Sequence, residues 1–474
     1  MFPGAFAGAD YYAAQNGQTP AAPYISWETA ASNIQDAVNA AGTNDTVWVG
    51  AGRYRVPTNA VWWVGTNVVY IEKPITLRSS NGIPESTIID GEGKNRGIAV
   101  WNTNAGTSNQ FIIEGFTVSN CHATNFGGGI LFYHSRAVWT GTVLNCIVSD
   151  NTVAYGTNTL STSYNLSPGA YGGGICSFLY TGPSPFAFIV SNCIIRNNRA
   201  LSGLSYESSY CSSYGGGIYV RDAGQKYIVN NIIESNSATM GGGGYFEHGN
   251  TLIEKCVIRG NKALSSGNGN DQNTVQGGGW YLGSGQIAGG VPPGIHVVKN
   301  CLSYNNTSAG RGGGLLTWGG QAELYNLTIT SNKAVYAGSG IGMRGVVQGS
   351  SLRMCNSIVY SNTIDDIFCD KYTNTFVTNS CVGFTNNLID GSGNATNGLL
   401  GAGNITNSPA FANFAGQDFH LTIASPCMNS GLNQPWTDGR SLDIANRPRI
   451  DRFSGRVDMG CYEYIPKGIL YKVR

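Results

Sequence analysis

Short apolar runs recur along the chain between clusters of Gly and Asn, and two kinds of run alternate. One follows a Gly triplet: Gly127-Gly128-Gly129-Ile130, Gly172-Gly173-Gly174-Ile175, Gly215-Gly216-Gly217-Ile218, Gly277-Gly278-Gly279-Trp280 and Gly312-Gly313-Gly314-Leu315, with looser copies from Gly241 to Gly244 and at Gly338-Ser339-Gly340-Ile341. The other opens on Asn-Cys, continues with two mostly apolar residues and closes on an Asn five positions after the Cys. It reads Asn145-Cys146-Ile147-Val148 with Asn151, and Asn192-Cys193-Ile194-Ile195 with Asn198; degenerate copies close on Asn236, Asn261, Asn306 and Asn332. Two motifs in strict alternation are an internal repeat.

The closing Asn residues at 151, 198, 236, 261, 306 and 332 are spaced by 47, 38, 25, 45 and 26 residues. The basal unit is therefore about 25 residues, and longer units carry inserted loops. A unit this short cannot bury its own apolar face. Stacked as coils of a parallel β-helix, such units pair with their neighbours about 4.8 Å away and align equivalent residues in columns. The predicted fold is all-β: a single-stranded right-handed parallel β-helix with an N-terminal capping α-helix. Each closing Asn is placed to hydrogen-bond its copy in the next coil. Gly at the corners supplies backbone angles that side chains forbid.

These paired φ-x-x-Asn and Gly-Gly-φ repeats resemble those of polymorphic outer-membrane proteins and other pectin-lyase-like β-helices, over roughly residues 70–465. The resemblance implies the fold and says little of activity, because lyases, hydrolases, epimerases, adhesins and tailspikes share it. Asp418 to Leu421, Ser425-Pro426-Cys427, Asp443 to Pro448 and Val457 to Glu463 resemble the end of secreted bacterial choice-of-anchor β-helix proteins. The N-terminal block resembles the capping helix and first strand of pectin-lyase-like proteins. Trp27, Ala31, Ile34, Val38 and Ala41 fall on one helical face, with Ser26 to cap the start and Gly42 the end. The expected division is 1–68 for the N-terminal segment, 69–406 for the coils and 407–474 for a closing region.

Gly numbers 67, about twice the usual share, and charged residues are 12%, about half of it. That suits an all-β secreted repeat, at the cell surface or released. Ala5-Phe6-Ala7 resembles the tail of a secretory signal, with a disordered start as the alternative. A net charge of +1 argues against nucleic acid, and no apolar run reaches membrane-spanning length.

Of twelve cysteines, Cys146, Cys193, Cys256 and Cys301 share one column and read as buried free thiols. In the resembled C-terminal segment the positions of Cys427 and Cys461 are typically small and apolar, which suggests a disulfide between them. Cys369 and Cys381 flank an eleven-residue loop that a bridge can close, and Cys176 with Cys211 forms a third candidate. Three bridges fit an oxidising compartment.

After each triplet, strand alternation points positions two and four outward. Position two is Leu131, Cys176, Tyr219, Tyr245, Tyr281 and Leu316; position four is Tyr133, Phe178, Arg221, Glu247, Gly283, Trp318 and Arg344. Position five adds His134, Asp222 and His248. Loops at 157–171, 202–214 and 264–276 would wall this face. An aromatic floor with charges between walls suits a polysaccharide or surface glycan, with Tyr133, Tyr219, Tyr245, Tyr281, Trp318 and Arg344 as binding residues. The plainer alternative is a tyrosine ladder beside an Arg221–Glu247 cross-strand pair. As a lyase, His248 or Tyr245 would be the base and Arg221 the neutraliser of a uronate carboxylate. As a glycoside hydrolase, Asp222 and Glu247 would be the carboxylate pair. The clustered acidic Ca²⁺ ligands of pectate lyases are not found, so no cofactor is expected, with Ca²⁺ as the alternative that lacks a clear ligand cluster. The Asn-Thr-Asp, Asp-Asp and Gly-His-Gly signatures of polygalacturonases are missing too. The non-enzymatic alternative is an adhesin or structural β-helix. An outward stripe of Ile147, Ile194, Ile232, Val257 and Leu302 would need covering by loops or by a second protomer in a homo-oligomer.

Overall fold

A computed structural model describes residues 8–55, 61–62, 65–102, 109–134, 139–155, 169–179, 187–203, 212–221, 224–265, 271–284, 294–345, 350–370, 373–383, 385–386, 388–389, 395–396 and 401–464. The repeat unit is one coil of four strands. In one coil these are Ala187–Ser191, Ile194–Arg196, Arg199–Leu201 and, after Gly215 to Gly217, Ile218–Arg221. Equivalent strands of successive coils pair in parallel and build four long sheets, here numbered first to fourth in that order. The result is a right-handed parallel β-helix, as the repeats predict.

The closing Asn residues explain why the coils stay in register. Asn151, Asn198, Asn236, Asn261, Asn306 and Asn332 are wholly buried at the corner between the second and third sheets. The Oδ1 of Asn261 accepts from both the backbone N–H and the side-chain amide of Asn236, each at 3.0 Å, and Asn261 Nδ2 donates to Ile233 O at 2.9 Å and to Asn306 Oδ1 at 2.9 Å. The ladder ends where Asn362 donates to Asp366. The third Gly of each triplet makes room for it: a Cβ on Gly217 would lie 2.5 Å from Gly243 O and 3.0 Å from Asn236 Nδ2.

Cys146, Cys193, Cys256 and Cys301 sit at the corner between the first and second sheets, inside the main core. The residues just before them hold left-handed backbone, as at Asn145 (φ 52°), Asn192 (φ 55°) and Asn300 (φ 55°). The expected Cys427–Cys461 and Cys369–Cys381 disulfides are not present. All eleven described cysteines are free. Cys427 packs with Ile358, Cys381 and Met459, whereas Cys461 packs with Leu302, Tyr304 and Phe419, in a separate cluster. Cys369 faces the main core and Cys381 that outer cluster. Cys176 is buried, and Cys211 lies outside the described residues.

The N-terminal helix is shorter than expected. It spans Ile34–Ala40, capped by Asn33, whose side chain accepts from Asp36 N. Ser26 instead closes a local turn onto Thr29, and Ala31 is held as a bridge to Ala13. Residues 407–464 lie along the outer face of the second sheet. Their Phe411, Phe419, Ile444 and Tyr462 cover Val257 and Leu302. Those two of the five stripe residues are thus covered by the chain's own C-terminal segment and not by a second protomer. The corner asparagines dock it: Asn300 Oδ1 accepts from Arg449 Nη2 at 2.6 Å, and Leu432 N donates to Asn356 Oδ1 at 2.7 Å.

Candidate functional site

The fourth sheet carries the columns in the predicted register. Cys176, Tyr219, Tyr245, Tyr281 and Leu316 align, as do Phe178, Arg221, Glu247, Gly283, Trp318 and Arg344. The tyrosines do point away from the main core, but they are not a platform for sugar. Tyr219, Tyr245 and Tyr281 are only 1%, 6% and 5% exposed, and they form a second apolar cluster with Phe126, Tyr171 and Leu316. The cause is local. The first Gly of each triplet has a left-handed backbone (Gly215, φ 62°) and packs against the tyrosine four residues on: a Cβ on Gly215 would lie 2.8 Å from Tyr219 Cβ. The chain just before it therefore folds back over the column. Phe126, Tyr171, Tyr214, Met240, Gln276, Arg311 and Ala337, each preceding a triplet, bridge one another as an outer wall. Tyr171 and Tyr214 stack at 5.0 Å, and Tyr171 lies 5.0 Å from Tyr219. Burial pushes the hydroxyl of Tyr245 well above its ordinary pKa, with Glu247 adding to the rise, so it is unsuited to act as a base. Tyr133 is 9% exposed and stacks on Trp101 at 4.0 Å.

Column four reaches solvent beyond this wall. Glu247 stands between Arg221 and His248: Arg221 Nε is 3.6 Å from its Oε2 and His248 Nε2 is 3.5 Å from its Oε1. Tyr219 donates to the same Oε2 at 3.4 Å. The Glu247 and Arg221 side chains keep 24% and 32% exposure. His248 has a left-handed backbone (φ 58°), and its carbonyl accepts from the wholly buried Lys226 ammonium. Arg221 thus already has a carboxylate partner in Glu247. Asp222 lies outside the described residues, as does the side chain of His134, so the carboxylate pair of a hydrolase has one described member.

Two coils further on, the same column behaves differently. Trp318, half-buried, pairs in register with Arg344, whose guanidinium lies 4.7 Å from the indole centroid. Arg311, in the outer wall between Gln276 and Ala337, lies 5.4 Å over Phe368. Burial, then the like charge of Arg344, hold the Arg311 guanidinium below its ordinary pKa, and Asp370 offsets part of this. The carboxylate of Asp370 faces these two cations. Its Oδ1 accepts from Gly345 N at 2.7 Å and its Oδ2 stays 4.0 Å from Arg344 Nε. Nε and Nη1 of Arg344 and Nε of Arg311 have no hydrogen-bond partner among the described residues. Arg344 keeps 19% exposure and Asp370 25%. Cationic donors left without acceptors are costly in a protein alone and favour an added anion. Arg311 was not singled out from the sequence. The signal was its place: it precedes Gly312, as Tyr214 precedes Gly215.

Among the described residues, no group of three or more His, Cys, Asp or Glu side chains is arranged to hold a metal. No described helix is long and apolar enough to cross a membrane.

The architecture is that of a right-handed parallel β-helix. Among solved structures the chain resembles one titled "pectate lyase Pel9A", with 14% identity over 97% of each chain and a TM-score of 0.53. A pectin methylesterase from Aspergillus niger is also similar, at 13% identity, over 74% of this chain and 85% of that one, with a TM-score of 0.33. No protein-family model and no curated protein sequence matches the chain.

Proposed function

We propose that this protein binds an acidic polysaccharide along the outer face of its fourth sheet. The observation that carries the proposal is the Arg311–Arg344 pair, two cations near the single carboxylate of Asp370 and beside the half-buried indole of Trp318. A guanidinium fork matches the two oxygens of a carboxylate, and an indole face matches the C–H face of a sugar ring. The cluster of Arg221, Glu247 and His248, further along the column, gives the polymer polar contacts. It is charge-balanced, which favours binding without turnover over the lyase and hydrolase readings. A ligand of this kind places the protein outside the cell, secreted or surface-held. Neither Cys427–Cys461 nor Cys369–Cys381 forms, so that location rests on the ligand.

A pectate lyase of the same fold makes polygalacturonate the first polymer to test. In affinity gels, polygalacturonate should retard the protein and a neutral glucan of equal length should not. Added salt should weaken the retardation. Growth of ultraviolet absorbance from unsaturated products would assign lyase chemistry to this face, and new reducing ends without it would assign hydrolysis. Migration unaffected by polygalacturonate would remove the proposal.

A further inference from the structure

A groove of about 730 Å³ runs over the outer face of the first sheet, away from the surface described above. Its floor is built by Gln225–Val229, Asn250–Glu254, Ile295–Lys299 and Gln321–Tyr325, and one wall by Gln434, Pro435 and Trp436 of the C-terminal segment. The volume falls within the range of about 300–1,000 Å³ usual for ligand sites. Four strands at about 4.8 Å spacing give a floor roughly 14 Å across.

The lining is of two kinds. Apolar faces are open to solvent: Tyr227 is 37% and Ile295 40% exposed, and the ring of Tyr325 meets that of Trp436 at 6.1 Å. Amide side chains stand beside them, with Gln225 and Asn250 neighbours in one column and Gln434 on the wall. The charges are balanced. Lys299 meets Glu254 at 3.4 Å, and Glu323 lies in register with Arg353 of the next coil. Such a groove offers an acidic polymer no net attraction. It offers a strand-forming peptide no edge either, because every floor strand is paired on both sides. What remains is side-chain recognition by rings and amides, which suits the C–H faces and hydroxyls of uncharged sugars.

The wall is fixed in advance. Ser441 Oγ donates to Trp436 O at 2.7 Å, Thr437 Oγ1 to Gln434 O at 2.7 Å, and the segment is tied to the coils through Asn356. A preformed wall limits the ordering cost of binding.

We infer that this groove is a second binding site, for a neutral glycan, separate from the acidic-polysaccharide face. Titration calorimetry of the full chain with cellohexaose, xylohexaose and mannohexaose tests it. At least one should bind, and Tyr227→Ala and Trp436→Ala should each weaken it tenfold or more, with polygalacturonate affinity unchanged. Tyr227→Ala alone keeps the test valid if Trp436→Ala disturbs the docked segment. Binding of none of the three, or equal affinity in wild type and Tyr227→Ala, overturns the inference. Loss of polygalacturonate binding in either variant also overturns it, since the two sites would then be one. Failure of polygalacturonate to bind at all bears on the fourth-sheet face only.

Discussion

Tyr245 and Tyr281 stack face to face on the outside of the fourth sheet, centroids 4.3 Å apart and planes 4° from parallel. With Tyr171, Tyr214 and Tyr219 they form an apolar layer outside the main core, roofed by the residues before each Gly triplet. Tyr245→Ala is therefore a core truncation. It should cost about 3–5 kcal/mol and lower the melting temperature by several degrees, read by calorimetry. It should leave polygalacturonate affinity within a factor of two, because the ring is not at the ligand surface.

The Asn ladder makes a second stability prediction. Asn261→Ala strips the acceptor from two N–H groups of Asn236 and the donor from Ile233 O, all buried. A single buried orphan costs about 1–3 kcal/mol, so denaturant unfolding should show at least that loss. Asn197→Gly, at a corner whose φ is 55°, should be nearly neutral, since Gly accepts that backbone.

Arg449 holds the C-terminal segment. Wholly buried, it donates to Glu463 Oε1 at 2.7 Å, to Gly460 O at 3.0 Å and to Asn300 Oδ1. Removing one partner of a buried pair costs about 3–5 kcal/mol. Arg449→Met should make the segment 407–464 sensitive to limited proteolysis while the coils resist.

His296 predicts an acid response. Burial, then the Lys226 ammonium, hold its pKa down to about 3, against about 6.5 in an unfolded chain. The folded state excludes a proton that the unfolded state takes up. Stability from this group is complete above pH 6.5 and is lost as pH falls towards 3, by up to about 1.4 kcal/mol per pH unit. Between pH 6.5 and 4 the melting temperature of wild type should fall more steeply than that of His296→Gln.

Register and columns were legible in the sequence because two periodicities agree. Alternation along a strand places Arg221 and Tyr219 on one face, and the Asn repeat sets which coil residues become neighbours, so Arg221 beside Glu247 and Trp318 beside Arg344 followed directly. Burial of the tyrosines was not legible from alternation, which reports only a direction. The covering residues announce themselves weakly, as a large side chain before several triplets: Phe126, Tyr171, Tyr214 and Met240. Disulfide pairing failed for a related reason. Cys427 and Cys461 lie in a segment whose path over the second sheet is set by Asn300, Asn356 and Arg449, far away in sequence. Asn33 displaced Ser26 as the helix cap because both residue types cap equally well, and the bridge of Ala31 to Ala13 decided between them.

The most direct test of the acidic-polysaccharide face is titration calorimetry of polygalacturonate hexamer against wild type, Arg344→Gln and Arg311→Gln. Each change removes one cation with unpaired donors, so neither should lower the melting temperature by more than about 2 °C, and each should weaken binding tenfold or more. Equal affinity in all three proteins would contradict the account.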